Sequence, residues 1–366
     1  MPTITAVETI PTTIPYHHAI EASSGVLDRA EHVLILVRTD VGATGIGEAV
    51  SRSFVYGESQ ESIVAAVQKW IAPILVGEDP FAVNAHHEAL AWIAGNNTAL
   101  GAVDIALHDL RGTLSGLPAW KLLGGEKRPM RVTRILSMGS PADSAREARA
   151  AAETHGISSF KVKVGDDVAD DLSRVTAVRE AVGPQATVYV DANHGYTAEQ
   201  AVEMMNAAAE FGVTLIEEPT PAEDRLGRRR FGTHTTAAIM ADESAPTLAA
   251  TAAEILEGGA RAISIKTTRT GFTESAQIVA LARALGARTL LGSQADSMIG
   301  AAASLCFGSA HPAVVREPAE LDYYTTLTDT LTSERLVVSN GVLHPSDRPG
   351  IGVLLDEEKV RRYRVD

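Results

Sequence analysis

Three carboxylates, Asp191, Glu217 and Asp242, and three lysines, Lys161, Lys163 and Lys266, form an ordered series, with steps of 24 to 28 residues from Lys163 to Lys266. Carboxylates gathered at one point repel one another unless positive charge lies between them. A hard dication with oxygen ligands resolves that conflict, so the set suits Mg²⁺, with Mn²⁺ as a substitute. Zinc is a poor second, because Cys306 is the single cysteine and His194 the only nearby histidine. Lys161 and Lys163 lie two apart, so on a strand they share a face: the first can hold charge while the second moves a proton. Lysines beside a dication are expected to have lowered pKa values and to act as neutral bases. Such a set suits proton chemistry at a carbon next to a carboxylate, with the metal stabilising the enediolate.

The elements that carry these residues repeat. Short β-branched runs, RVTRILSM, SSFKVKVG, ATVYVDAN, VTLIEEP, AAIMADES, RAISIK and RTLLGSQ, alternate with Ala-rich helical runs that close on Gly156, Gly183, Gly212, Gly258 or Gly259, and Gly286. Ser140-Pro141 and the Thr197-x-x-Gln200 capping box mark helix starts. Each step in the charged series is about one βα unit, so the side chains land at one end of adjacent strands. Asn193, Glu218, Glu243, Gln294 and Asp296 fall at the same strand ends. Seven units, with an eighth in VVREPAELDYY, imply a parallel sheet, either open and doubly wound or closed as a barrel. The number of units favours the barrel, whose active sites sit at the C-terminal mouth. Lys266 then stands four strands round from Lys163, across the cavity.

Before this series the chain is mixed α and β. EHVLILVRTDVGATGIGEA reads as two strands about a turn at Asp40, Val41 and Gly42. Helical patterns follow at Ser59 to Ile71 and in NTALGAVDIALHDLRGTL. The expected organisation is an α+β capping domain over 1–125, a barrel over 126–322, and a segment 323–366 that returns to the cap.

At 366 residues with 45% hydrophobic content, the chain is long enough for a barrel with additions. Its net charge of −14 argues against nucleic acid and anionic membranes as partners. The only arginine run, Arg228 to Arg230, is expected on a solvated helix face. Cys306 lies in AAASLCFG and is expected to be buried and inert. With neither a secretory signal nor a long apolar run, a cytoplasmic location is expected.

KVK, VDAN, IEEP, ADES and ISIKTTRTG, preceded by NTALGAVDIALHDLRGTLSGLPAWKLLGG, together resemble the enolase superfamily in its muconate lactonizing subgroup. The resemblance spans nearly the whole chain. It implies α/β architecture: a modified (β/α)7β TIM barrel under an α+β cap formed by the N-terminal region and the C-terminal tail. It also implies Lys163 and Lys266 as the acid/base pair, Lys161 as electrostatic helper, and Asp191, Glu217 and Asp242 as Mg²⁺ ligands.

ISIKTTRTGFT, LLGSQADSMIG and SRSFVYGES look most like muconate cycloisomerases of actinobacterial type, and ISIKTTRTG resembles those adding on the syn face. That implies closure of cis,cis-muconate, a small dicarboxylate, to muconolactone, in aromatic catabolism. The alternatives are racemases or epimerases of N-acylamino acids or dipeptides, o-succinylbenzoate synthases, and, outside enzymes, an inactive ligand-binding barrel. Dipeptide epimerases usually carry Asp-x-Asp on the last barrel strand, where this chain has Glu320, Leu321 and Asp322. A mandelate racemase-like His base has no candidate, since His311 and His344 lie away from strand ends.

In this subgroup, cap loops close over the mouth, here the segments from His18 to Gly25 and from Arg52 to Tyr56. Arg52 suits a second carboxylate or a plain surface position, and Phe54 and Tyr56 suit shielding from water or simple packing. Asn193, Glu218, Glu243, Gln294, Asp296, Arg52, Phe54 and Tyr56 are the candidates to touch substrate or support groups that do. His194 is read equally as rim residue or substrate contact. A homo-oligomer is expected.

Overall fold

The computed structural model describes residues 1–22 and 25–366, and side chains outside 20–26; most of the His18 to Gly25 segment thus lies outside the described side chains. The N-terminal region is an antiparallel sheet of β1 (Ile4–Ala22), β2 (Gly25–Thr39) and β3 (Thr44–Val50), in that order. β1 is long although Pro11 and Pro15 lie within it, which an edge position tolerates because proline has no N–H to offer a second neighbour. The end of the chain reaches that edge: Val365 N donates to Pro11 O at 3.1 Å.

The helix Asn97–Ser115 lies across β3. Gly45 and Gly47 permit this close approach. A Cβ at Gly47 would sit 2.0 Å from the Ala102 carbonyl oxygen, and one at Gly45 2.1 Å from that of Ala106. Val33, Ile35, Val37, Ile63, Val103 and Leu107 bury their side chains between sheet and helices. Each such burial stabilises the fold by about 1.5–3 kcal/mol relative to exposure.

The second region starts with β4 (Met130–Arg131), which pairs with β12 (Val342–Leu343). Next come seven parallel strands in chain order: β5 (Thr133–Ile135), β6 (Ser159–Lys163), β7 (Thr187–Asp191), β8 (Leu215–Glu217), β9 (Ala238–Ala241), β10 (Ala260–Ile265) and β11 (Arg288–Leu291). Residues 319 and 320 join the two edges. Thr133 N donates to Ala319 O at 2.8 Å, and Glu320 N donates to Leu291 O at 2.9 Å. Of the two sheet forms the repeat allows, the chain therefore takes the closed one.

Helices begin and end where the punctuation places them. Pro141–His155 has Ser140 as N-cap and Gly156 in the left-handed region beyond its end, and Thr197 with Gln200 forms a capping box. Period-2 alternation turns Phe160, Val162, Val188 and Val190 towards the helices. The intervening Lys161, Lys163, Tyr189 and Asp191 turn into the barrel.

Cys306 is buried, and burial pushes its thiol up to about 12, as an inert core residue requires. The arginine run departs from expectation. Arg228 is 0% exposed, its guanidinium held by Glu218 and, at 3.0 Å, by Glu254, while Arg229 and Arg230 remain on the surface. A charge run in sequence does not reveal that one member faces two buried carboxylates.

Candidate active site

Parallel register delivers the charged residues to one level. Lys163 sits opposite Asp191, and Asp191 opposite Glu217. Asp242 and Lys266 are the first residues after β9 and β10. Together they surround a cavity of about 310 Å³ at the C-terminal mouth, lined by Lys161, Lys163, Asp191, Asn193, His194, Asp242, Glu243, Lys266 and Gln294. The cap contributes Arg52, Phe54 and Tyr56 to the same lining. Glu217 lies just beneath, fully buried.

Ion pairs knit this mouth. Lys161 Nζ is 3.0 Å from Glu217, 3.3 Å from Asp191 and 2.6 Å from Glu320. Lys163 Nζ donates to Asp191 at 2.6 Å and to Asn193 Oδ1 at 2.7 Å. Lys266 pairs with Asp242, whose other oxygen accepts from Arg269 at 3.0 Å.

These neighbours set the protonation states. Burial raises the Asp191 carboxyl, but Lys163 and Lys161 outweigh it and bring it to about 2. Asp242 is likewise lowered, with Lys266 and Arg269 overcoming burial. Glu217 goes the other way: burial and the charge of Asp191 push it well above the usual range despite Lys161. The protein groups around Lys161 and Lys266 by themselves act in the opposite sense to the lowering expected beside a dication. Burial lowers Lys161 and Lys266, yet the carboxylates around them outweigh it and hold both protons well above the usual lysine value. Protein groups alone therefore keep these lysines charged.

A dication fits here. Asp191, Glu217 and Asp242 are oxygen donors on three adjacent strands, and Glu217 Oε1 is buried without a hydrogen-bond partner. The ionised form of Glu217 needs more positive charge than Lys161 supplies. His194, Glu218 and Glu243 also bring one ligand atom each within 4.8 Å of one another. Glu218 is otherwise engaged: one oxygen accepts from Asp242 N and from Ser244 N and Oγ, and the other holds Arg228. Glu243 Oε2, like Glu217 Oε1, is buried without a hydrogen-bond partner, and a hard cation favours an all-oxygen set over one that includes a histidine nitrogen.

The remaining candidates divide into two groups. Asn193, Glu243, Gln294, Arg52, Phe54 and Tyr56 face the cavity, as does His194, whose Nδ1 lies 3.1 Å from Thr220 O. Glu218 and Asp296 do not line it. Asp296 turns beneath the loop, accepting from Thr268 Oγ1 at 2.8 Å and Ser293 Oγ at 2.9 Å.

Sequence reasoning gave no role to three residues of this network. Glu320 accepts from Tyr189 at 2.7 Å besides holding Lys161; its strand-end position in PAELDYY was the available signal. Arg134 pairs with Asp322 at 2.8 Å. Arg269 carries no signal of its own, because a helix residue that folds back onto Asp242 looks like any helical arginine.

Residues 3–124 match the family model for the mandelate racemase/muconate lactonizing enzyme N-terminal domain, and residues 143–359 match the enolase C-terminal domain-like model. The chain belongs to the enolase superfamily. Members of the enolase superfamily use a divalent metal, in keeping with the carboxylate set. The crystal structure of muconate lactonizing enzyme from Mycobacterium smegmatis, complexed with muconolactone, superposes with a TM-score of 0.97 at 39% identity, covering 100% of both chains. Chloromuconate cycloisomerase of Pseudomonas sp. strain P51 is 31% identical over 366 residues, 98% of each chain. L-Ala-D/L-Glu epimerase of Bacillus subtilis is 29% identical over 357 residues, 96% of each. Superfamily membership thus embraces relatives of both reaction types.

Proposed function

We propose that this enzyme is a Mg²⁺-dependent cycloisomerase that closes cis,cis-muconate to muconolactone. Asp191, Glu217 and Asp242 would hold the cation. When bound, it supplies the positive charge that lets a substrate carboxylate accept electron density as its neighbouring carbon changes protonation. In the overall reaction one carboxylate oxygen adds to the diene to form the lactone C–O bond, and the carbon next to the other carboxylate takes a proton. Lys163 and Lys266, on opposite walls, are placed to hold that proton, and Lys161 adds fixed positive charge beneath. Arg52 is 9% exposed, donates to the Gln294 carbonyl at 3.2 Å and lines the cavity from the cap. It suits the second carboxylate of a dicarboxylic acid.

The observation that carries this reading over the dipeptide epimerases is the pairing on the last barrel strand. Glu320 is closed onto Lys161 and Asp322 onto Arg134. Neither is left to receive a substrate ammonium. Support also comes from the relatives named for muconate and chloromuconate.

A racemase or epimerase of N-acylated substrates is the second reading, because both opposed lysines are in place and such substrates carry no free ammonium. Loss of diene absorbance, on mixing purified protein and Mg²⁺ with cis,cis-muconate, tests the first reading. Racemisation of an N-acylamino acid without muconate turnover would establish the second.

A further inference from the structure

Glu48 sits in the middle of β3, 1% exposed, beneath the loop that leaves β11. A buried carboxylate costs several kcal/mol unless it is paired and hydrogen-bonded. Here Ser297 N donates to Glu48 Oε1 at 2.9 Å, the Ser297 hydroxyl donates to Oε2, and His32 Nδ1 on β2 lies 3.6 Å away. Burial raises the Glu48 carboxyl, but His32 and Ser297 outweigh it and keep it below its ordinary value. The charge therefore stays, and it ties the cap sheet to the barrel.

The loop it holds is strained. Ala295 has φ +71°, in the left-handed region that residues other than glycine rarely adopt. Ser293, Gln294 and Ala295 line the cavity, and Ser297 caps the helix Met298–Ala310. Four residues beyond Glu48, Arg52 grips the same loop through the Gln294 carbonyl. The stretch from Glu48 to Arg52 thus holds residues 294–297 at both ends.

We propose that Glu48 is a positioning residue: by fixing Ser297 it sets the 293–297 loop, and through Gln294 the placement of Arg52 against the substrate. The kinetic consequence rests on the dicarboxylate reading above; the structural one does not. Two measurements on Glu48→Gln separate them. In hydrogen–deuterium exchange, amides of 292–299 should exchange about tenfold faster, while β7, β8 and β9 keep their protection. With muconate, KM should rise about tenfold and kcat stay within roughly threefold, because the lysines and carboxylates are untouched.

Unchanged exchange in 292–299, or an equal rise throughout the molecule, would overturn the proposal. So would a fall in kcat with KM unaltered. If wild-type protein does not turn over muconate, the dicarboxylate reading fails and exchange alone decides the role of Glu48. Should Glu48→Gln not fold, Ser297→Ala removes the hydroxyl contact and must show the same local rise in exchange; its absence counts equally against the proposal.

Discussion

Lys266 Nζ donates to the Tyr56 hydroxyl at 3.1 Å, joining a barrel lysine to a cap tyrosine 210 residues away in the chain. Arg269 reaches the same hydroxyl at 3.3 Å. Burial, only partly countered by Lys266, pushes the Tyr56 phenol up to about 12, so it stays neutral and can accept from both cations. The cap therefore touches a proposed proton-carrying group directly. Tyr56→Phe should lower kcat about tenfold and leave Mg²⁺ affinity unchanged, as measured by steady-state kinetics and calorimetry.

Asp242→Ala removes a carboxylate from the mouth and not from the apolar core. The variant should fold, by circular dichroism, yet lose Mg²⁺ binding in calorimetry and several orders of magnitude in rate. Full metal-dependent activity in this variant would refute the ligand assignment.

Lys163 and Lys266 should contribute unequally in a cycloisomerase, since only one face of the substrate needs a proton. Replacing the proton-carrying lysine by alanine should cost about 10²–10⁴-fold in kcat. The ISIKTTRTG resemblance favours Lys266 in that role. Turnover in deuterated water should label the α-carbon with one stereochemistry, read by NMR. Random labelling would point to the racemase.

Arg52→Met should raise the KM for muconate by roughly ten- to a hundredfold with a smaller change in kcat, as expected when a charge-assisted contact to substrate is lost. An N-acylated monocarboxylate should be nearly indifferent to the change. Equal effects on both substrates would argue against Arg52 as a carboxylate anchor.

Asp109 gives a pH test away from the chemistry. Burial raises its carboxyl to about 7, although Ile351 N and Ile46 N both donate to it. The fold then keeps a proton that the unfolded chain releases near pH 4. Its contribution to stability should fall as pH rises from about 4 to about 7 and be constant above. Asp109→Asn removes that dependence. Relative to wild type, the variant should gain on the order of 3 kcal/mol between pH 4.5 and 7.5, followed by denaturant titration. A constant difference across that range would show that Asp109 titrates normally.

Much of the site is legible in sequence because parallel βα units make spacing into geometry. Lys163, Asp191, Glu217, Asp242 and Lys266 each end a β-branched run, and the glycine-closed helices between them fix the step. β1 was hidden, since Pro11 and Pro15 argue against a strand until its edge position is known. Arg228 faces inward for a reason that a charge run does not carry: its partner Glu218 directly follows the strand of its own βα unit and Glu254 lies on the helix of the next.

The amino-acid order alone determined the repeat, the identity of the charged strand-end residues and the superfamily, because these depend on local periodicity and on motifs. Tertiary structure decided what each charge meets. Barrel closure brings Glu320 onto Lys161, folding of one helix turn brings Arg269 onto Asp242, and docking of the cap brings Tyr56 onto Lys266. Such encounters involve residues up to 210 positions apart, and their energy depends on shared burial. Residue type and spacing carry no record of that burial, so only the folded chain shows which carboxylates are already paired and which buried carboxylate oxygens, Glu217 Oε1 and Glu243 Oε2, have no hydrogen-bond partner.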